Sequence, residues 1–174
     1  MAEQDVLKAP SVVEYPFSRT TGPVIGAFFT ALREGFIVGI KGADGRVIVP
    51  PVEYDPQTSE ALSELVEVGD AGEIVTWAWV TDPQKDQPLE QPFAWALIKL
   101  DGADTPMVHA VDTGGDPSKV STGARVKARW RPARPTGANG DGEAEEARDP
   151  KAPHEYREGH ILDIECFVPE EDAA

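Results

Sequence analysis

The clearest alternation of apolar and polar positions lies in the middle of the chain, at residues 73–80. The stretch reads E-I-V-T-W-A-W-V and is rich in β-branched and aromatic side chains. A strand places successive side chains on opposite faces, here Ile74, Thr76, Ala78 and Val80 on one and Val75, Trp77 and Trp79 on the other. Gly72 before the stretch and Asp82-Pro83 after it are typical strand boundaries. The pattern therefore predicts a strand.

Four further stretches have strand-like patterns and follow at short intervals. They are Phe93–Leu100, Met107–Val111, residues 125–131 and residues 159–168. Turn residues such as Asp101-Gly102 separate them, and no long helical pattern interrupts them. Short strands at this spacing are typical of a small antiparallel barrel or sandwich, so the predicted fold class is mainly β.

Residues 23–34 carry the pattern of a helix. Pro23 suits the first helical position, and Gly35 suits the left-handed position after the end. The apolar side chains along one side are Val24, Ile25, Phe28, Phe29 and Leu32. This side can pack onto the chain's own barrel, or it can dock onto a second protein together with Tyr15 and Phe17 of the preceding arm. The residues leave both interpretations open.

Residues 36–59 have the skeleton of a zinc ribbon without its cysteines. Two short strand-like runs flank a tight turn at Asp44-Gly45, and two prolines follow. On the ribbon pattern, the four thiolate positions fall on Lys41, Asp44, Asp55 and Thr58. A tetrahedral structural zinc needs thiolate or imidazole ligands, so we expect no zinc here. Either local hydrogen bonds or a salt bridge from Lys41 to an aspartate would take its place.

The composition limits the classes of function. Sixteen lysines and arginines against 31 aspartates and glutamates give a formal net charge of −15, which repels a phosphate backbone. The single cysteine, Cys166, excludes an internal disulfide and fits a reducing compartment. No apolar run approaches the roughly 20 residues that cross a bilayer, and residues 1–10 lack the apolar core of a signal peptide. We therefore expect a cytoplasmic protein without a membrane partner.

The sequence contains no recognised catalytic motif. Nucleophile-elbow, phosphate-loop and H-E-x-x-H patterns are absent, and none of the three histidines stands at metal-ligand spacing with Cys166. His109 lies within a predicted strand and is interpreted as a packed or hydrogen-bonded barrel residue. Cys166 is interpreted as a small buried apolar group. We expect no catalytic residue in this chain.

Taken in order, the motifs resemble one protein family. A helix ending L-R-E-G, a ribbon with G-R-V-x-x-P-P and a strand beginning G-x-I-V-T-W come first. L-I-K-L-D-G, G-A-R-V-K-A-R-W and F-V-P follow, so the resemblance covers residues 23–169. The family is that of OB-fold proteins with a rubredoxin-like zinc ribbon (domain of unknown function thirty-five), which accompany thiolase-fold enzymes and handle acyl-CoA. The resemblance implies an N-terminal helix, a degenerate zinc-ribbon hairpin and then an OB-fold β-barrel.

What this resemblance implies for function is a non-catalytic accessory subunit. The implied partner is a thiolase-fold or lipid-transfer-protein-like catalytic subunit, in a heterotetramer. The preferred activity of the complex is retro-aldol cleavage of a steroid side-chain CoA thioester, a step of cholesterol catabolism. A bridge between a thiolase and a condensing synthase is the alternative within the family. A free-standing OB-fold protein that binds nucleic acid, with tryptophans stacking on bases, is the alternative outside it.

One predicted strand carries positive charge against the global trend. Arg125, Lys127, Arg129 and Arg131 alternate along it, Arg134 follows, and residues 123–134 contain no acidic side chain. Given the resemblance, we expect the first four of these cations to bind the phosphates of CoA, the ligand of the complex. The alternative is that they neutralise acidic neighbours across the barrel.

These predictions divide the chain into three parts. Residues 1–35 comprise the arm and the docking helix, residues 36–65 the ribbon-like segment, and residues 66–169 the barrel. Within the barrel, residues 132–156 are rich in glycine, proline and acidic side chains. Such a composition buries little apolar surface, so it predicts a long disordered loop between two barrel strands.

Overall fold

The computed structural model describes residues 20–85, 87–131 and 159–173. In this part of the chain, one α-helix precedes eight strands: α1 (Gly22–Glu34), β1 (Ile37–Lys41), β2 (Val47–Ile48), β3 (Leu65–Val68), β4 (Ala71–Val80), β5 (Phe93–Leu100), β6 (Met107–Val111), β7 (Arg125–Trp130) and β8 (Ile164–Pro169). Short 3-10 helices span Pro117–Lys119, Ile161–Asp163 and Glu170–Asp172. The arm and the predicted acidic loop at 132–156 lie outside the described residues.

Five strands close into a barrel in the order β4-β5-β6-β8-β7. Neighbouring strands are antiparallel except for β6 and β8, which run parallel and meet at Val111 and Phe167. This five-stranded closed barrel has the architecture of an OB-fold. The predicted fold class, mainly β with an N-terminal helix and an OB-fold barrel, is confirmed.

The ribbon-like segment forms a separate three-stranded sheet in the order β2-β1-β3. The tight turn between β1 and β2 lies where the sequence places it, with Gly45 at a φ of 83°. β3 was not predicted; it pairs antiparallel with β1, from Ile37 opposite Val68 to Ile40 opposite Leu65. The small sheet therefore extends to Val68, and the barrel begins at Ala71.

Helix, ribbon and barrel share one hydrophobic core. Its buried members include Phe28 and Leu32 of α1, Ile37 of β1, Ile98 of β5 and Phe167 of β8. Burial of apolar surface is the main force that holds such elements together. A smaller apolar cluster comprises Phe93, Ala110, Cys166 and Val168, with Leu89, Trp95 and Ala173 packed against it.

A β-bulge in β4 changes the faces that were predicted for its side chains. The register with β5 shifts between Ile74, which lies opposite Ile98, and Thr76, which lies opposite Leu97. Beyond the shift, Trp77 lies opposite Ala96 and Trp79 opposite Ala94, so both share the inner face with Ile74. The prediction that the tryptophans and Ile74 face opposite sides was wrong, because strict alternation does not anticipate an extra residue.

Candidate functional site

The candidate ligand surface is the basic stripe of β7, defined here as Arg125, Lys127 and Arg129. These side chains alternate along the strand with the buried Val126 and Ala128, so they lie on the outer face of the barrel. Each keeps between 41% and 44% of its side chain exposed. The predicted stripe therefore exists, and the partners of each cation decide what it can bind.

All three guanidinium nitrogens of Arg125 donate hydrogen bonds to acidic neighbours. Nη1 and Nη2 donate to the two carboxylate oxygens of Asp101 at 2.7 and 2.6 Å, and Nε donates to Glu170 at 3.0 Å. The hydrogen bonds from Arg125 hold the pKa of Asp101 below its usual value. Bidentate geometry of this kind is the strongest that arginine offers to a carboxylate. An anionic ligand would have to displace both acids.

Arg129 belongs to a second acidic network, centred on Asp112. Its Nη2 donates to Asp112 Oδ2 at 2.9 Å, and its Nε donates to Glu165 Oε2 at 2.8 Å. The other Asp112 oxygen, Oδ1, accepts from Gln91 Nε2 at 2.8 Å and from the backbone N–H of Gly114 at 2.9 Å. Burial alone would raise the pKa of Asp112, but these hydrogen bonds outweigh it and lower the pKa.

Sequence reasoning did not single out Asp112. The available signal was the D-T-G run directly after a strand, because an aspartate often accepts from the N–H two residues later in an Asx turn. That local pattern predicts the bond from Gly114. It does not predict Arg129 or Gln91, which lie 17 and 21 residues away.

Lys127 is held more loosely than the two arginines beside it. Its Nζ lies 4.0 Å from Asp70 Oδ2, beyond hydrogen-bond distance. Lys127 also lines a pocket of about 300 Å³, together with Arg129, Trp130, Val168, Asp172 and Ala173. Within the stripe, Lys127 is therefore the cation most available to an anionic ligand.

The remaining predicted cations contribute less to this surface. Arg131 follows the end of β7, and its backbone N–H donates to the carbonyl of Asp163 at 2.9 Å. Its Nε is buried and has no hydrogen-bond partner within the described ranges. Arg134 lies outside the described residues. The structure thus brings together Arg125, Lys127 and Arg129 and sets Arg131 apart.

The tryptophans differ in their access to solvent. Trp79 and Trp130 pack against the main core, and Trp95 packs edge-on against Phe93 with ring centroids 5.4 Å apart. Trp77 remains 36% exposed. A stacking platform for single-stranded nucleic acid uses aromatic rings along a basic groove. Here the most exposed indole, that of Trp77, shares the inner face of β4 with Ile74, whereas the basic stripe lies on the outer face of β7.

The predicted docking residues of α1 divide into buried and accessible ones. Val24 and Phe28 keep only 7% and 2% of their surface exposed, because they face the protein's own core. Ile25 and Phe29 are half-buried, and the ring of Phe29 stacks on that of His160 at a centroid distance of 6.4 Å. Tyr15 and Phe17 lie outside the described residues. Of the named helix residues, Ile25 and Phe29 are the ones that a partner could still reach.

Other apolar side chains are exposed at places that the sequence did not mark. Phe36, Tyr54 and Leu65 belong to the ribbon, and Tyr54 is 62% exposed. Val75, Trp77 and Val108 belong to the barrel, and Val108 is 59% exposed. Period-two patterns cannot distinguish an exposed strand face from a buried one when both carry apolar residues. These two sets are further candidate contact surfaces.

The side chains at the four ribbon positions are not arranged as metal ligands. Lys41 Nζ pairs with Glu64 at 3.2 Å, so the salt bridge to an aspartate considered above is not formed. Asp44 pairs with Arg46 at 2.6 Å. Asp55 is buried and accepts hydrogen bonds from three backbone N–H groups, those of Ala43, Gln57 and Thr58. Among the described residues, no three His, Cys, Asp or Glu side chains are grouped so that they could hold a metal ion.

His109 and Cys166 occupy the positions that were predicted for them. His109 is 7% exposed and packs edge-on against Phe167, with ring centroids 5.4 Å apart, and burial lowers its pKa. Cys166 is fully buried, and burial raises the pKa of its thiol to about 12. A thiol with this pKa is protonated at neutral pH and is a poor nucleophile. Both interpretations, as packed barrel residues, are confirmed.

Comparisons with known proteins identify the type of barrel. Residues 65–131 match the family model described as the C-terminal OB-fold domain of ChsH2. One similar solved structure is a DUF35-family protein of unknown function from Sulfolobus solfataricus, with a TM-score of 0.51, 23% identity, and coverage of 62% of this chain and 77% of that one. Another is the Ltp2-ChsH2(DUF35) aldolase, with a TM-score of 0.50, 23% identity, and coverage of 63% and 84%. No curated protein matches significantly.

The predicted resemblance is therefore confirmed at the level of the fold. The chain contains an OB-fold barrel, and residues 65–131, which cover the end of the ribbon sheet and most of the described barrel, are similar to the C-terminal OB-fold domain of ChsH2. In the described part of the chain, no helix is long and apolar enough to cross a membrane.

Proposed function

We propose that this protein is the non-catalytic OB-fold subunit of a thiolase-fold acyl-CoA enzyme. The enzyme would be an aldolase that cleaves a steroid side-chain CoA thioester by a retro-aldol reaction. The observation that carries the proposal is the match of residues 65–131 to the C-terminal OB-fold domain of ChsH2. The fold that the chain shares with the Ltp2-ChsH2(DUF35) aldolase supports it, since such a domain is part of an aldolase there.

The chemistry of the described residues supports an accessory role. A general base must reach the proton that it abstracts and must titrate near the working pH. His109 is buried against Phe167 with a lowered pKa, and Cys166 is a buried, protonated thiol. The acid–base groups of the reaction would therefore come from the thiolase-fold partner.

For the CoA moiety, the proposal places the anionic contact at Lys127. Arg125 and Arg129 each donate to two carboxylates, whereas Lys127 has a single ion-pair partner at 4.0 Å among the described residues. The pocket beside Lys127 also contains Trp130, whose ring offers a surface for an adenine base. Lys127 would contact a CoA phosphate, and the arginines would keep the strand in place.

For the partner, the proposal places the contact at Ile25 and Phe29 of α1. Their half-buried side chains flank the buried Phe28, so a partner could cover them without unfolding the helix. Full burial of such a side chain contributes about 1.5–3 kcal/mol, so covering the exposed half of one contributes about half of that. Loss of both would then weaken an interface by roughly ten- to a hundredfold.

The first experiment tests the assembly. The protein is co-expressed with candidate thiolase-fold or lipid-transfer-protein-like subunits, and association is measured by size exclusion with light scattering. We expect a complex, a heterotetramer in the preferred form, that cleaves acyl-CoA thioesters, while the isolated chain is inactive. Cleavage by the isolated chain would overturn the accessory role. A complex that only channels acyl-CoA to a condensing synthase would favour the bridging alternative.

The second experiment locates the interface. The double variant Ile25→Ser, Phe29→Ser should keep the circular dichroism spectrum and lose the partner. Val108→Ser is the matched control, because Val108 is exposed on the barrel and is not part of the proposed interface. If the double variant binds normally and Val108→Ser does not, the interface lies on the barrel face.

The third experiment tests the CoA contact. Lys127→Glu should raise the KM of the complex for acyl-CoA by about tenfold, the value of one charge-assisted hydrogen bond. Lys99→Glu is a close control, because Lys99 is also 44% exposed and also pairs loosely, with Glu73 at 3.7 Å. Equal KM values for the two variants would remove Lys127 from the site. Tight binding of oligonucleotides that weakens steeply with salt would instead favour the nucleic-acid alternative.

A further inference from the structure

The ribbon sheet has little apolar material with which to hold its two turns together. The first turn follows β1 at residues 42–46, and the second lies at residues 55–58. In the first turn all residues but Gly42 are exposed, and in the second all but Asp55. β2, the strand between them, is only two residues long. Some other interaction must join the turns, which in a zinc ribbon is the role of the metal.

The donor sets at the four ribbon positions do not fit a zinc ion. Lys41 carries an ammonium group that pairs with Glu64, and the Thr58 hydroxyl accepts from the N–H of Glu60 at 3.3 Å. The Asp44 carboxylate is used by Arg46 and by Gln57. None of the four is a thiolate or an imidazole, the donors that structural zinc sites use.

The Asp55 carboxylate lies between the two turns and bonds to both. Oδ1 accepts from the backbone N–H groups of Gln57 and Thr58 at 2.8 and 3.0 Å, which closes the second turn locally. Oδ2 accepts from the N–H of Ala43 at 2.8 Å, twelve residues earlier in the chain. One oxygen therefore shapes a turn, and the other links that turn to its counterpart.

The surrounding backbone is built around this side chain. The N–H of Asp55 donates to the carbonyl of Glu60 at 2.8 Å, and its own carbonyl accepts from Ser59 at 2.9 Å. Gly42 leaves the space that the carboxylate needs, since a Cβ there would lie 3.1 Å from Asp55 Oδ2. The side chain keeps only 4% of its surface exposed. A buried carboxylate is tolerated when N–H donors satisfy it, as three do here.

We propose that Asp55 replaces the zinc ion as the cross-link of the ribbon, so that this ribbon folds and stays folded without metal. A charged acceptor with three backbone donors makes stronger hydrogen bonds than a neutral one. The cross-link lies within one chain and needs no ligand. The ribbon is then a metal-independent packing element beneath α1 and the barrel.

Substitution of Asp55 can separate its two roles. In Asp55→Asn, the amide oxygen can still accept from Gln57 and Thr58, but the NH₂ group then faces the N–H of Ala43, which is also a donor. In Asp55→Ala, both roles are lost. Asp44→Asn is the comparison variant, because Asp44 reaches the second turn through the side-chain amide of Gln57 at 3.3 Å, whereas its backbone donor, Arg46, lies in its own turn.

The test is amide hydrogen exchange by NMR, with metal analysis of the wild-type protein. We expect exchange at the Ala43 amide to become about tenfold faster or more in Asp55→Asn while Gln57 stays protected. In Asp55→Ala both amides should exchange faster, and in Asp44→Asn neither should. The wild type should contain no stoichiometric zinc, and its Tm should not change with a chelator.

Two results would overturn the proposal. One is stoichiometric zinc whose removal lowers the Tm of the wild type. The other is an unchanged exchange rate at Ala43 in Asp55→Asn. If Asp55→Asn fails to fold while Asp44→Asn folds, the specific dependence on Asp55 supports the proposal, and the metal analysis of the wild type still tests it independently.

Discussion

Asp55 in the ribbon and Asp112 in the barrel are both buried carboxylates, and they are satisfied in different ways. Among the described residues, the donors to Asp55 are the backbone N–H groups of Ala43, Gln57 and Thr58, and these hydrogen bonds lower its pKa. Asp112 accepts from one backbone N–H and from two side chains, Arg129 and Gln91. The first arrangement joins two turns of the chain, and the second joins the end of β6 to the basic stripe on β7.

The difference follows from what surrounds each carboxylate. The ribbon turns have few buried apolar side chains, so the hydrogen bonds of Asp55 carry much of their structure. The barrel has a continuous apolar core, so Asp112 adds to a structure that the strands already define. Loss of Asp55 should open the ribbon locally, whereas the barrel should respond most to changes in its core.

The largest expected effect comes from the barrel core. Phe167→Ala removes a fully buried ring that packs against His109, and it should lower the free energy of unfolding by about 3–5 kcal/mol. Urea unfolding followed by circular dichroism measures it. Val108→Ala is the control on the neighbouring strand. Because Val108 is 59% exposed, this substitution should change the free energy of unfolding by no more than about 0.5 kcal/mol. A loss below 1 kcal/mol for Phe167→Ala would show that the barrel does not depend on its core in this way.

A smaller effect is expected at Asp112. Asp112→Asn keeps the shape of the side chain but leaves Arg129 with Glu165 as its carboxylate partner, so we expect a loss of about 1–3 kcal/mol at neutral pH. Glu165→Gln is the matched control, because it removes the other, more exposed partner of Arg129 and should cost at most about 1 kcal/mol. If the control costs more than Asp112→Asn, Glu165 is the main anchor of Arg129.

The stability difference between the wild type and Asp112→Asn should also depend on pH. Because the pKa of folded Asp112 lies below its usual value of 3.8, its charged form stabilises the native state above that pH. This contribution is lost as the pH falls through the folded pKa. The stability difference between wild type and Asp112→Asn should therefore be constant above about pH 4 and shrink below it. A difference that grows on acidification would contradict the direction of the pKa shift.

The smallest effect is expected at Arg125. Its partners Asp101 and Glu170 are 56% and 46% exposed, and exposed ion pairs contribute about 0–1 kcal/mol. Arg125→Gln should lower the free energy of unfolding by that amount or less, and 0.5 M salt should reduce the difference further by screening. A larger loss that salt does not change would place Arg125 with Asp112 among the structurally important groups.

Local patterns in the sequence determined the elements and the fold class. β5 and β6 have the predicted bounds, and α1 begins within one residue of the predicted start and ends at Glu34, before a left-handed Gly35. These features depend on side-chain periodicity and on capping residues a few positions apart. The same is true of the turn at Asp44-Gly45. The order of short motifs was enough to indicate the OB-fold.

Only the tertiary structure decided which side chains meet. The bulge in β4 moved Trp77 and Trp79 to the inner face, and the contacts of α1 buried Phe28 while leaving Phe29 half-buried. Asp55 and Asp112 were visible as turn residues, but their bonds to Ala43 and Arg129 span 12 and 17 positions. Periodicity describes which face of an element a residue occupies. Which partner lies opposite that face depends on how distant strands pair, and no local pattern contains that information.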